Sequence, residues 1–412
     1  MIYRPYDSER DEKAVIRIWQ ECGWPDPKKT KKNRVAFRDW LSCGTADVVE
    51  FRGEAESLVT SHPGSITMLD TALSFQAVTS VTVGRPMRRM GGAGELTAMV
   101  VSRAAEEGFA VSGLGIFDQG FYDKLGFGNF PYSRTVTVDP LTLTVPELKR
   151  SPIRLTKKDV SRMIENTSSR FNHHGLVKIP PEGFMRLMVE QSGDCFGLGF
   201  EDDDGRLSHH LWAKSNGPHG PYEVWWMVYR DYDGLMELLA LIRNLGDQVN
   251  SFKFREPWGI QIQDLVKRPF RTRDISTGGE FATSVSAEST KQARILNMGK
   301  VLSALRLPAG KIRFNLDMID PIEDFLPVGS AWRGLGGEWI VTLDEEGSGA
   351  VRGSEGKLPV MRTSVNALTR LVFGAATPRW LSAIGEIQAP ADLVCRLDEV
   401  LRLPVPDMVQ IF

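Results

Sequence analysis

The chain has few cysteines: Cys22, Cys43, Cys195 and Cys395 stand far apart, with no CxxC pair. That spacing argues against a disulfide framework and a thiolate zinc site, and predicts buried free thiols in a reducing compartment. Net charge is also small, with 50 Lys+Arg against 52 Asp+Glu and a formal charge of −2. Proteins that track phosphate backbones carry a basic excess or a basic face, so no nucleic-acid partner is expected. The one dense basic run, Lys28, Lys29, Lys31, Lys32 and Arg34, reads as a solvated loop or helix start. Its functional alternative is attraction of an anionic cofactor tail. No apolar run approaches the roughly 20 residues of a membrane span. The opening MIYRPYDSERDEK is charged at once and holds no signal core. A cytoplasmic protein with no membrane partner is expected. His173-His174 and His209-His210 come without HExxH or carboxylate spacing, so no metal is expected either.

What is present is length and alternation. A chain of 412 residues predicts two to four domains, because single cores stop growing near roughly 250–300 residues. Residues 1–138 mix helix and strand signals, the mark of an α/β sheet with helices on its faces. Apolar spacing at Ala14, Val15, Ile18 and Trp19 predicts a helix over 11–21, and a second is expected over 35–41. Strands are predicted at 46–51, 57–61, 77–83 and 110–117, and a helix over 94–107 closed by Gly108. The Pro-punctuated DPLTLTVPELKRSP marks a boundary. Residues 139–288 then repeat the opening pattern weakly, like a diverged copy. Residues 289–412 predict an α+β unit, with a hairpin over 338–352 and apolar helices at 365–373, 379–384 and 391–401. The apolar ending VPDMVQIF suggests a docked tail, since chain ends fray unless tied down.

The chemistry concentrates in residues 76–132. A strand ends at Val83, a loop follows with Arg88, Arg89, Met90, Gly91, Gly92, Ala93 and Gly94, and a helix opens at once. Strand, glycine-rich loop and helix N-terminus make an anion site, where free N–H groups converge and the helix dipole favours negative charge. Neither GxGxxG with a distant acidic residue nor GK[ST] is present, which excludes the dinucleotide and Walker readings. Arg88-x-x-Gly91-x-Ala93 and, one residue on, Arg89-x-x-Gly92-x-Gly94 resemble the (Q/R)xxGx(G/A) signature of GNAT acetyltransferases. About thirty residues later FYDKLGF (121–127) resembles the aromatic-Tyr-x-(K/R)-x-GF segment that lies beside the cofactor sulfur in that family.

The chain-long plan resembles the enhanced intracellular survival (Eis) family: tandem GNAT folds followed by a sterol-carrier-protein-like α+β domain. That resemblance implies an acetyl-CoA-dependent N-acetyltransferase acting on a primary amine: an aminoglycoside, a polyamine or a lysine. It makes Tyr122 the general acid and the terminal carboxylate of Phe412 the general base. It implies that Val81, Thr82 and Val83 bond the pantetheine, that residues 88–94 hold the pyrophosphate, and that Phe117 and Asp118 border the cofactor. A homo-oligomer, commonly a hexamer, is implied as well. RDYDG replaces the acyl-CoA loop in the second copy, which is expected to be structural. Around the acceptor, Trp40 is a pocket aromatic or a core residue. Ser80 and Ile411 stand where aminoglycoside-acetylating members carry an aromatic and an acidic residue. Losing an acidic wall weakens recognition of polycations, so aminoglycoside acetylation is not supported by this sequence itself. A non-catalytic acyl-CoA sensor and a lipid or small-molecule carrier are the rival functions.

Overall fold

The computed structural model describes residues 1–24, 31–116, 120–179, 182–267, 279–307 and 310–408. The chain opens β1 (Ile2–Pro5), α1 (Ser8–Glu21), α2 (Lys31–Ser42), β2 (Thr45–Phe51), β3 (Glu54–Met68), β4 (Thr71–Val83), α3 (Gly92–Glu106), β5 (Val111–Gly115) and β6 (Gly128–Asn129). It continues β7 (Ser133–Val138), β8 (Ile153–Leu155), α4 (Val160–Ser168), β9 (Val177–Lys178), α5 (Glu182–Gln191), β10 (Cys195–Glu201), β11 (Leu207–Lys214), β12 (Tyr222–Val228), α6 (Tyr232–Asn244), β13 (Phe252–Arg255) and β14 (Ser284–Glu288). The last part is β15 (Lys291–Ile295), α7 (Met298–Ala304), β16 (Lys311–Ile319), β17 (Gly337–Asp344), β18 (Gly349–Arg352), β19 (Val360–Ser364), α8 (Val365–Val372), α9 (Pro378–Ala383), β20 (Ile387–Gln388) and α10 (Ala391–Val400).

These strands form three mixed sheets, ordered β1-β2-β3-β4-β5-β15-β6 with β9 beside β3, then β14-β7-β13-β12-β11-β10-β8, then β18-β17-β16-β19-β20. The first two sheets share one device. β4 and β5 are parallel and joined through α3, as β12 and β13 are through α6. A parallel pair needs such a crossover, and a helix supplies it. At the expected boundaries the sheets exchange strands. β7 pairs with β13 and β14 in the second sheet, whereas β15 inserts between β5 and β6 of the first.

Helix α1 starts where Asp7 accepts from the amides of Glu9 and Arg10, and it buries Val15, Ile16, Ile18 and Trp19 on one face. One continuous apolar core joins Ile66, Phe75 and Val111 of the first sheet to Phe314, Leu368 and Leu397 of the last unit. The second sheet has its own core, with Leu235, Leu238 and Ile242 of α6 packed on Val136 and Phe252. The cysteines are free, but they are not buried as expected: Cys22, Cys43 and Cys195 are half-buried and Cys395 is exposed. Each lies on or beside a surface helix or strand end, and Cys395 falls on the outer face of α10. Among the described residues no helix is long and apolar enough to cross a membrane.

Candidate active site

β4 and β5 pair only from Phe75–Val111 to Val78–Leu114. β4 then runs on through residues 79–83, while β5 stops at Gly115, so the two strands part. Along the same stretch β4 carries a bulge. Thr60 faces Thr79 and Leu58 faces Thr82, leaving Ser80 and Val81 opposite Val59 alone. Ser80 absorbs the extra residue with a left-handed φ of 53° and is buried. Hydroxyls fix the distortion: Ser57 donates to the Thr82 carbonyl at 2.9 Å and Thr60 to the Thr79 carbonyl at 3.2 Å. Those bonds engage β4 on its β3 side. Among the described residues no strand pairs with it on the other side beyond Val78, so an extended ligand arm can add there as a strand would.

The loop after β4 ends that gap. Residues 85–87 make one tight turn, and Arg89 (φ 63°) and Gly91 (φ 87°) turn the backbone left-handed before α3 begins at Gly92. The amides of Gly94 and Glu95 donate to the Gly91 carbonyl at 2.9 and 3.2 Å. The remaining first-turn N–H groups have no partner within the helix by geometry. Met87 is buried and anchors the loop, while Arg88, Arg89 and Met90 are exposed and Gly92, Ala93 and Gly94 are buried. The result is a donor-rich cationic rim at the mouth of the strand gap. Its residues fit a diphosphate with an extended arm running along 79–83.

Tyr122 is buried in one apolar cluster with Val78, Met87, Leu96 and Leu114, against which Val81 and Val83 pack. The Tyr122 ring thus shares one apolar cluster with residues of the loop and of the strand end. The turn that presents Tyr122 is closed by bonds from Leu125 N and Phe127 N to its carbonyl, at 2.9 and 3.2 Å. Distant residues brace it. Asn366 donates to the carbonyls of Asp123 and Phe127 at 2.9 and 2.8 Å, and Gln292 to the Asp123 carboxylate at 2.5 Å. Arg294 donates to the Leu125 carbonyl and pairs with Asp320 at 2.7 Å. Gly126 has φ 81°, and a Cβ there would lie 2.7 Å from Val365 and 2.8 Å from Arg294. Sequence reasoning missed Gln292, Arg294 and Asn366, which lie more than 160 residues beyond the turn and carry no local signature.

The other expected residues are placed differently. Trp40 sits in a separate core with Trp19 and Phe37, its ring stacked on His62 at 3.6 Å between centroids. Burial pushes the His62 imidazole down to about 4, so it is neutral near pH 7. Phe117, Asp118, Ile411 and Phe412 lie outside the described residues.

Residues 3–130 match the family model for the acetyltransferase (GNAT) domain. The first third of the chain is a GNAT acetyltransferase domain. By that domain the protein is an enzyme of the acyltransferase class. The whole fold is shared with Eis1 from Mycobacterium abscessus, at 16% identity, TM-score 0.78 and 100% coverage of both chains. It is also shared with a probable N-acyltransferase from Enterococcus faecalis V583, at 16% identity, TM-score 0.78 and coverage of 100% of this chain and 99% of that one. A GCN5-related N-acetyltransferase from Anabaena variabilis ATCC 29413 gives 14% identity and TM-score 0.77 over 100% of both chains. No curated protein sequence matches the chain. At these identities the structural likeness speaks for the fold.

Proposed function

We propose that the protein transfers acetyl from acetyl-CoA directly to a primary amine and is organised like the Eis family. In this account residues 1–138 form the catalytic unit, 139–288 a structural second GNAT copy and 289–412 a sterol-carrier-like unit. The observation that carries it is the parting of β4 from β5 beside a loop that ends in the N-terminus of α3. Val81, Thr82 and Val83 would bond the pantetheine, and the loop from Arg88 to Gly94 would hold the pyrophosphate. Phe117 and Asp118 would border the cofactor, while Ser80 and Ile411 would shape the acceptor side.

The reaction removes two protons from the acceptor ammonium and delivers one to the leaving sulfur. The Phe412 carboxylate takes a proton from the attacking ammonium, directly or through water. The amine nitrogen bonds the thioester carbon, whose oxygen is polarised by backbone at the end of β4. The C–S bond breaks, Tyr122 gives its proton to the leaving sulfur, and the second proton lost from the nitrogen restores the phenol. Burial of Tyr122 beside the gap supports its part. The acceptor class spans aminoglycosides, polyamines and lysine side chains. A cytoplasmic homo-oligomer is part of the same proposal.

The test is thiol release from acetyl-CoA against those three amine classes, using protein with an untagged C-terminus. Release with at least one amine is expected. Measurable acetyl-CoA binding with no release would favour a sensor, and co-purified lipid in native mass spectra a carrier.

A further inference from the structure

We infer that the second sheet serves as a clamp for the C-terminal strap, with Arg255 and Asp407 as its positioning pair. This rests on the proposal that the chain terminus acts at the active site. β12 and β13 pair only at Tyr222–Phe252 and Glu223–Lys253 before they part, as β4 and β5 do. The loop that follows β12 is unlike its counterpart. Asp231 caps α6 by accepting from Gly234 N at 2.8 Å, so a carboxylate stands where the first unit has left-handed Arg89 and Gly91. That carboxylate itself occupies the anion-favouring end of the helix. The parted strands keep a cavity of only about 160 Å³, lined in part by Arg170, His173, Trp226 and Trp258.

Strap residues bond two residues of this cavity's lining, Trp258 and Arg255. Trp258 Nε1 donates to the Val405 carbonyl at 2.9 Å, and Asp407 N donates to the His174 carbonyl at 3.0 Å. The Asp407 carboxylate pairs with the Arg255 guanidinium. Arg170 and Lys291, both half-buried, also feel the Asp407 charge. Burial holds the Lys291 ammonium down to about 8.

Three glycines, one from each unit, form the strap's track. A Cβ on Gly175 would lie 2.5 Å from Asp407 N, one on Gly374 would lie 2.7 Å from Leu403 Cβ, and one on Gly113 would lie 2.9 Å from Met408 Cε. Gly113 of β5 faces Ala77 of β4, one pair before the strands part. The Met408 side chain therefore packs against the β4–β5 pairing just before the strands part. Ordering a chain end costs about 1–2 kcal/mol per residue of backbone entropy. A clamp two residues wide, at Val405 and Asp407, meets that cost before substrate arrives and confines where the terminus can go.

The test compares Asp407→Asn, Arg255→Met and the swap Arg255→Asp with Asp407→Arg. Gly175→Ala is a further variant that pushes the strap from its other side. Readouts are kcat, the Kd for acetyl-CoA, and the rate at which carboxypeptidase removes Phe412. The single variants are expected to speed cleavage at least tenfold and lower kcat at least tenfold. Acetyl-CoA affinity stays within twofold, and the swap restores part of both losses. Unchanged cleavage would overturn the clamp, and so would faster cleavage with kcat within twofold. The wild-type chain extended by one glycine after Phe412 separates the two ideas. Full activity of that extension sinks the terminal base, whereas its inactivity beside undisturbed single variants sinks the clamp alone.

Discussion

Arg294 on β15 and Asp320 form a fully buried ion pair at 2.7 Å, directly behind the turn that carries Tyr122. The Leu125 carbonyl and the Trp332 ring, whose centroid lies 5.1 Å from the guanidinium carbon, complete the surroundings of Arg294. Residues from β15 and from the segment after β16 thereby hold the turn that carries Tyr122.

Removing one member of such a pair leaves an uncompensated buried charge, which costs about 3–5 kcal/mol. Arg294→Met is therefore expected to lower the urea midpoint and to slow turnover. Arg294→Met with Asp320→Asn, which keeps an acceptor for the Ile322 and Leu335 amides, should recover much of the stability. A double variant no more stable than the single would show that the charge itself is not what matters.

Gly126→Ala must adopt φ 81° and push a methyl into Val365 and Arg294. A loss of more than about 1 kcal/mol is expected from the left-handed backbone alone. Gly347, with open space around its Cβ position, is the control. Gly347→Ala should leave the melting temperature unchanged while Gly126→Ala lowers it by several degrees.

Arg89 keeps a long side chain at φ 63°, where glycine is the less strained residue. Arg89→Gly is expected to raise stability by about 0.5–1 kcal/mol. It should also weaken acetyl-CoA binding roughly tenfold, as loss of one charge-assisted phosphate contact would. Calorimetric titration and thermal melts on the same sample check both signs.

Burial depresses three imidazoles, His62 and His173 to about 4 and His210 to about 3. The unfolded chain protonates these histidines below about 6.5, so it binds more protons than the native state between pH 6.5 and pH 4. Stability must then fall as pH drops through that window. His62→Gln removes one contributor, so the stability difference between pH 7 and pH 4.5 should shrink. The His62 share is on the order of 3 kcal/mol, and denaturation midpoints at the two pH values measure it.

The local pattern of the fold was legible in the sequence because it rests on nearby residues. A helix expected over 94–107 is found at Gly92–Glu106, and a strand expected over 46–51 is found at Thr45–Phe51. The glycine-rich loop and the FYDKLGF turn were legible for the same reason. The exchange of β7 and β15 between sheets was not, since periodicity fixes a strand's faces and leaves its partners open. The bulge at Ser80 was equally hidden, because it depends on a register set by β3. Gly113, Gly175 and Gly374 look like ordinary turn or strand glycines until the strap lies across them.

The most direct test of the account is Tyr122→Phe, followed by thiol release and by acetyl-CoA binding. Loss of the phenolic proton should lower kcat by about 10²-fold or more, with the acetyl-CoA Kd within twofold of wild type. Turnover within threefold of wild type would contradict Tyr122 as the acid.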